Sequence, residues 1–436
     1  MKNIYIFLLV LAVICSACNS DDDTPGRDLS PMVMSVSPGQ GKANDVITIY
    51  GRNFSTARDH NKVTFNEVEA TVLEATKTRL EVVVPEGEGQ GEIGVVVQGQ
   101  PATGSLPAFN YIAPQEVYMV ATLAGSLEYG LVDGQGTSAR FRNPEGVAMA
   151  PDGNIVVTDR FNNSIRLLTP EGMVTTITGN GTKGHTDGPA DQALLNYPWR
   201  SCVDREGNIY VADRDNHAIR KISTDGIVST VAGGPRGFKD GPVPEAQFNQ
   251  PIDVDVDDQG NLYVADNNNH RIRKISPDGM VSTVSGSVSG FKDGNASEAL
   301  FANPSGISLD VEGNIYVADR FNHRIRKIST NGEVTSIAGQ GDVGALDGDA
   351  LSAQFNNPYG LDVAENGDIV VADLSNHKIR LVSEGAVTTI AGTSSGFLDG
   401  AGFTARFYNP TDVAIAGEVI YVADLGNHLI RKITRE

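Results

Sequence analysis

Apolar and polar positions alternate over short distances along most of the chain, and long helical periodicity is scarce. Residues 46–51 (Val-Ile-Thr-Ile-Tyr-Gly), 80–84 and 93–97 read as strands, parted by clusters of Gly, Pro and Asn. They predict a small β-sandwich over residues 30–113. Beyond residue 114 the pattern becomes periodic. Pro recurs at Pro144, Pro198, Pro251, Pro304, Pro358 and Pro410, at intervals of 54, 53, 53, 54 and 52 residues. Asp recurs in step at Asp159, Asp213, Asp266, Asp319, Asp373 and Asp424. Each unit holds four β-like runs. In the third unit they are residues 252–256, 262–265, 271–275 and 281–284, with turns at Gln259-Gly260-Asn261 and Pro277-Asp278-Gly279. Four short strands per unit, repeated about an axis, predict the blades of a β-propeller over residues 116–436.

The ends of the repeat predict how it closes. The last unit begins at Asn409 and stops after three strands, at Ile433. A matching fourth strand lies at the front. Met119-Val120-Ala121-Thr122-Leu123-Ala124-Gly125 parallels Val387-Thr388-Thr389-Ile390-Ala391-Gly392, and Asp133-Gly134 parallels Asp399-Gly400. The expectation is an all-β chain: an immunoglobulin-like sandwich, then a six-bladed propeller closed by its N-terminal strand. Closure would leave no open sheet edge.

Composition narrows the function classes. The 436 residues carry 54 acidic and 34 basic side chains, a net charge of -20. That balance argues against nucleic acid as a partner, since phosphate binding needs a basic face. Lys2 is the one charge in residues 1–17, and residues 4–14 form an apolar run broken by Tyr5. The run is short for a membrane span and reads as an export signal; an uncleaved membrane helix is the alternative. Cys15-Ser16-Ala17-Cys18 resembles a bacterial lipobox, with Cys15 where Leu is usual. The resemblance implies cleavage before Cys18, a lipid on Cys18 and attachment to the outer membrane. Residues 18–29 would then be an acidic tether. Asn19-Ser20-Asp21-Asp22-Asp23 resembles the address that sends lipoproteins to the outer leaflet in some glycan-foraging Gram-negative bacteria; a plain solvated tether is the other reading. Cys202 would remain as a lone thiol, a buried filler in a strand.

Two families emerge from the motifs. Pro31, Ser37-Pro38-Gly39-x-Gly41, Ile47-Thr48-Ile49-x-Gly51-x-Asn53-Phe54 and Val63-Thr64-Phe65 resemble an IPT/TIG domain. The resemblance implies an immunoglobulin-like fold that serves as spacer or contact module. Tyr210-Val211-Ala212-Asp213, followed by Asn216-His217-x-Ile219-Arg220-Lys221-Ile222 and recurring six times, resembles the NHL repeat. In the first unit Asn163-Ser164 stands in the Asn-His place. NHL domains form six-bladed propellers that bind protein or RNA, and a related lyase group uses pore metals. The repeat alone implies none of those activities.

Candidate chemistry lies where the repeats disagree. His217, His270, His323, His377 and His428 occur once per unit, so they ring the fold and read as scaffold, as do Asp213 and Arg220. The residues after each repeated Pro and Asp vary. Trp199 with Arg160 and Phe161, and Tyr359 with Arg320 and Phe321, form two clusters three blades apart; Arg214 adds a further cation. They are expected to face each other across the pore mouth as ligand-binding residues; loop capping is the alternative. On the inner strands, alternation groups Arg200 and Cys202 with Asp253, Asp255, Asp362 and Asp412. These carboxylates are candidate calcium ligands, or the lining of a solvated acidic channel. No other cofactor is implied.

Together, lipobox, tether, IPT/TIG domain and NHL repeats resemble the auxiliary nutrient-binding lipoproteins of polysaccharide-uptake systems. The resemblance implies a non-catalytic protein, lipid-anchored in the outer membrane and facing the cell exterior. It would bind a polysaccharide, an oligosaccharide or another nutrient, with an outer-membrane uptake complex as a candidate partner. Two rivals remain: a cation-dependent hydrolase or lyase acting at the pore, and a protein-interaction scaffold in an envelope complex. The absence of His from the inner strands weighs against the enzyme.

Overall fold

The computed structural model describes residues 30–104, 108–112 and 117–436. Cys18, the expected export signal and the expected acidic tether lie outside the described residues. The chain divides into two compact units, residues 1–115 and 116–436. The described residues form strands and three-residue 3-10 turns, with no α-helix among them. No helix among them is long and apolar enough to cross a membrane.

The first unit pairs its strands into a seven-stranded and a three-stranded sheet. Val46–Arg52, Arg79–Val83 and Ile93–Val97 match the runs read from the sequence. In Val46–Arg52 alternate residues Ile47, Ile49 and Gly51 are buried, as a half-solvated strand requires. Phe65 and Phe109 meet edge to face at 5.4 Å within this core. A side chain at Gly51 would collide with the Met32 carbonyl and the Phe54 ring, which explains a glycine in that motif.

In the second unit, five-stranded sheets repeat, the architecture of a β-propeller. We number six of them by their innermost strands: Pro144–Met149, Pro198–Val203, Pro251–Val256, Pro304–Leu309, Pro358–Val363 and Pro410–Ala416. Each innermost strand packs beside the next, and the last also packs beside the first. Tyr118–Gly125 pairs antiparallel with Leu429–Arg435, joining the first strand of this unit to its last sheet. Four strands per unit were expected, and the observed sheets have five. The extra strand is a two-residue edge piece, such as Gly188–Pro189 against Ile227–Gly233. It is too short to carry alternation, and its sequence mark is an Asp-Gly pair whose Gly opens it.

The repeated residues knit each sheet internally. Asp213 accepts hydrogen bonds from the Asn196 amide at 2.8 Å and the Asn216 side chain at 2.7 Å, and pairs with Arg220 at 2.7 Å. Arg220 also reaches Asp187, of that Asp-Gly pair, at 2.6 Å and donates to the Leu194 and Thr186 carbonyls. The Asp–Arg pair recurs, fully buried, in the other five sheets. Burial pushes the Asp159, Asp319 and Asp424 carboxyls up to about 6, against the opposing pull of their Arg and amide partners.

The histidines join one sheet to the next. His270, in the left-handed region at φ 56°, accepts the Asn303 amide through Nδ1 at 3.1 Å. His217, His323, His377 and His428 do the same for Gln250, Asn357, Asn409 and Asn143. The structure corrects one alignment. Asn163, not Ser164, holds the histidine's place in sheet one: its φ is 49° and its Oδ1 accepts the Tyr197 amide at 2.9 Å. Asn tolerates this backbone and offers an acceptor at a similar reach.

Candidate functional site

The register of each innermost strand slips just after its proline. Between Pro198 and Ser201 two residues, Trp199 and Arg200, oppose one residue of the next strand. The same bulge follows Pro144, Pro251, Pro304, Pro358 and Pro410. A bulge breaks strict alternation and re-aims side chains. Two consecutive residues per sheet therefore point toward the shared axis, where simple alternation allows one.

The first of each pair, Ser305 of sheet four excepted, builds a mouth cavity of about 280 Å³. Glu145, Trp199, Ile252, Tyr359 and Thr411 line it, together with Arg160, Arg214 and Arg320 from the 3-10 turns. The sequence placed Trp199 and Tyr359 in separate clusters across the mouth. In the structure they meet: Trp199 Nε1 donates to the Tyr359 hydroxyl at 2.8 Å, and the residues are only 8% and 3% exposed. The bulge brings both rings inward far enough to touch. Arg160 lies 4.1 Å and Arg214 4.4 Å from the Trp199 ring centre. Trp199 is thus a support for two guanidinium groups, not an open platform for a ligand. Arg320 lies 4.8 Å from the Tyr359 ring. Phe161 and Phe321 back Arg160 and Arg320 at 4.5 and 4.8 Å but do not line the cavity. Phe161 packs edge-on against Tyr197, and Phe321 is half exposed. Burial, followed by the Glu145 charge, pushes the Tyr359 hydroxyl up to about 12. It therefore stays protonated, an acceptor for Trp199 with its own proton still to give.

The second residue of each pair seals the axis. Arg200 donates to the Ser305, Tyr359 and Thr411 carbonyls at 3.1, 3.3 and 2.5 Å and pairs with Asp253 at 3.2 Å. Its Nε lies 3.4 Å from Asp412, an ion pair whose angle does not make a hydrogen bond. Burial would lower the Arg200 pKa, but Asp412 and Asp253 more than offset it and hold the guanidinium charged. Sheets one, four and five have Gly146, Gly306 and Gly360 at this position. A Cβ on Gly146 would press on Arg200, and one on Gly360 would collide with Asp412 and the Thr411 carbonyl. The small residues make room for the one large cation.

Below Arg200 a second cavity of about 190 Å³ is lined by Cys202, Asp253, Asp255, Ser308, Asp362 and Asp412, among others. The inner-strand grouping read from the sequence is therefore observed. The four carboxylates do not fit a calcium cage, because they lace neighbouring sheets. Asp253 accepts the Val254 and Ile307 amides, Asp255 those of Val256 and Leu309, Asp362 those of Val363 and Ile415, and Asp412 that of Val147. Two of the four are also matched by Arg200. No cluster of three or more metal-ligating side chains occurs among the described residues. Burial pushes Asp255 up to about 7, with Asp362 and Asp253 adding to the rise, and Asp362 up to about 6. Burial also pushes the Cys202 thiol well up, so it is a poor nucleophile.

Sequence reading passed over Arg200 as the axial seal and Glu145 as the partner of Arg160. The signal was present in the two positions after each proline, but only the bulge makes both of them axial.

Comparison with known proteins supports this architecture. The IPT/TIG domain family matches residues 31–111, and the NHL repeat matches residues 141–166, 195–222, 248–275 and 301–328. The chain thus carries a TIG domain and NHL repeats. An auxiliary nutrient binding protein from Bacteroides thetaiotaomicron is similar in structure, with a TM-score of 0.58 at 18% identity over 96% of this chain and 100% of that one. An auxiliary nutrient binding protein from Bacteroides ovatus gives 0.57 at 19% identity over 95% and 99%. At such identities the likeness is one of fold. Among curated sequences, NHL repeat-containing protein 2 from Bos taurus is 30% identical over 65% of this chain. The match spans 45% of that relative's own length.

Proposed function

We propose that this protein is a non-catalytic nutrient-binding protein whose mouth cavity takes a glycan. In this reading the propeller is a six-bladed ring closed by Tyr118–Gly125, and it stands at the cell exterior on a lipid carried by Cys18. The observation that carries the binding role is the mouth itself. Three guanidinium groups sit on a Trp199–Tyr359 floor in a cavity closed off from the lumen by Arg200. Guanidinium N–H groups, fixed by stacking, suit a ligand rich in hydroxyl oxygens. The names of the two Bacteroides neighbours support a nutrient of some kind. The non-catalytic reading is supported by the lumen, where the carboxylates are committed to backbone amides or to Arg200 and are not poised as free bases. Affinity electrophoresis through gels containing different polysaccharides tests the proposal. Retardation by at least one polymer, lost on Arg160→Ala with Arg214→Ala, is the expected result. Retardation unchanged in that double variant would place binding elsewhere.

A further inference from the structure

The repeat supplies an internal control for charge at the mouth. Sheets one and four carry the same turn, Arg160-Phe161-Asn162 and Arg320-Phe321-Asn322. In both, the Arg lies over its own Phe and over the aromatic ring of the following sheet. The residue after the proline differs. In sheet one it is Glu145, which pairs with Arg160 at 2.6 Å. In sheet four it is Ser305, whose hydroxyl lies within hydrogen-bond distance of the Ala318, Pro358 and Tyr359 carbonyls. Arg214, the third mouth cation, is met by Asp215 at 2.7 Å and Gln250 at 2.9 Å. Arg320 has no ion-pair partner within 4.0 Å among the described residues, and its Nε is buried without an acceptor. One of three mouth guanidinium groups is thus left unneutralised, in a chain whose net charge is -20.

We propose that Arg320 receives the carboxylate of an acidic sugar residue, so that the ligand is a uronic-acid-containing glycan. The inference rests on the glycan-binding reading above and narrows it to one substrate class. A partly buried cation without a counter-ion is costly, and an arriving anion removes that cost. The planar fork of a guanidinium matches the two oxygens of a carboxylate. The rest of the cavity keeps donors for hydroxyl groups, since Arg160 and Arg214 each have N–H groups beyond those spent on Glu145, Asp215 and Gln250. Glu145, the one acid lining the cavity, is already held by Arg160 and does not compete for Arg320.

Calorimetry on the intact chain tests this with oligosaccharides of galacturonan, alginate and hyaluronan, each beside its carboxyl-reduced counterpart, and with neutral and sulfated oligosaccharides. The expected result is that an acidic oligosaccharide binds and that carboxyl reduction weakens it about tenfold or more, the scale of a charge-assisted hydrogen bond. Arg320→Gln should erase that ratio, and Arg320→Lys should keep part of it. Matching melting temperatures show that the two variants fold alike. Should Arg320→Gln fail to fold, the wild-type ratio and the Lys variant still decide. Equal binding of an acidic oligosaccharide and its reduced form overturns the inference. So does a preference for sulfated over carboxylated ligands. Binding of neutral oligosaccharides alone overturns the inference and leaves the glycan reading standing. If no saccharide binds, both fall.

Discussion

Replacing Arg200 by Met should destabilise the propeller more than any change at its surface. The perturbation removes one side chain that holds Asp253 of sheet three, the Ser305 carbonyl of sheet four, the Tyr359 carbonyl of sheet five, and Asp412 and the Thr411 carbonyl of sheet six. Two carboxylates and three carbonyls lose their cation at once, in a site that is nearly inaccessible to water. Removing one partner of a buried ion pair costs about 3–5 kcal/mol, because the other charge stays behind. For a unit of about 320 residues, an unfolding entropy of ~2.1 cal/mol/K per residue turns about 4 kcal/mol into a fall of about 6 °C in Tm. Calorimetric melting and denaturant unfolding read it directly. The charge origin has its own check. Adding Asp253→Asn and Asp412→Asn to Arg200→Met should recover part of the loss, since the orphaned carboxylates are then neutral. An Arg200→Met variant that melts within a degree of wild type would refute the reasoning, as would a triple variant less stable than the single one.

The sheet-to-sheet histidines predict a loss of stability in acid. Burial lowers the pKa of all five, so their contribution is full above the unfolded value of ~6.5 and is lost as pH falls through the folded value. His270→Asn should keep the bond to the Asn303 amide, as Asn163 does for Tyr197, and lessen the acid sensitivity, while His270→Ala should cost about 1 kcal/mol at neutral pH; melting curves from pH 5 to 8 compare them. Asp255 acts in the opposite direction: with its pKa raised to about 7, its contribution is full below ~4 and is lost as pH rises through 7. Carboxyl-carbon NMR should find it titrating near 7, and Asp362→Asn should move that value down. Deleting residues 118–125 should leave Leu429–Arg435 as an open edge and cause aggregation, measured by light scattering.

How much of this was legible depended on period. The Pro and Asp repeats, the inner-strand carboxylates and the pairing partner of Tyr118–Gly125 could be read because each recurs or has a matching copy in the chain. The two-residue edge strands could not, since a strand so short has no alternation to display. The bulges after each proline were hidden for a related reason. Alternation assigns Trp199 and Arg200 to opposite faces, and only the slipped register brings both to the axis. Trp199 and Tyr359 were therefore expected at the mouth apart and open, whereas they line it joined and covered. The role of Asn163 was obscured by a one-residue offset that its backbone conformation resolves.

Trp199 is the chain's single tryptophan and forms the floor of the mouth, so its fluorescence reports on that cavity alone. The decisive measurement is a titration of its emission with an oligosaccharide that calorimetry shows to bind. The account predicts a saturable change in emission with the same Kd as the heat signal. Binding by calorimetry with emission unchanged to saturation would contradict it and move the site away from the mouth.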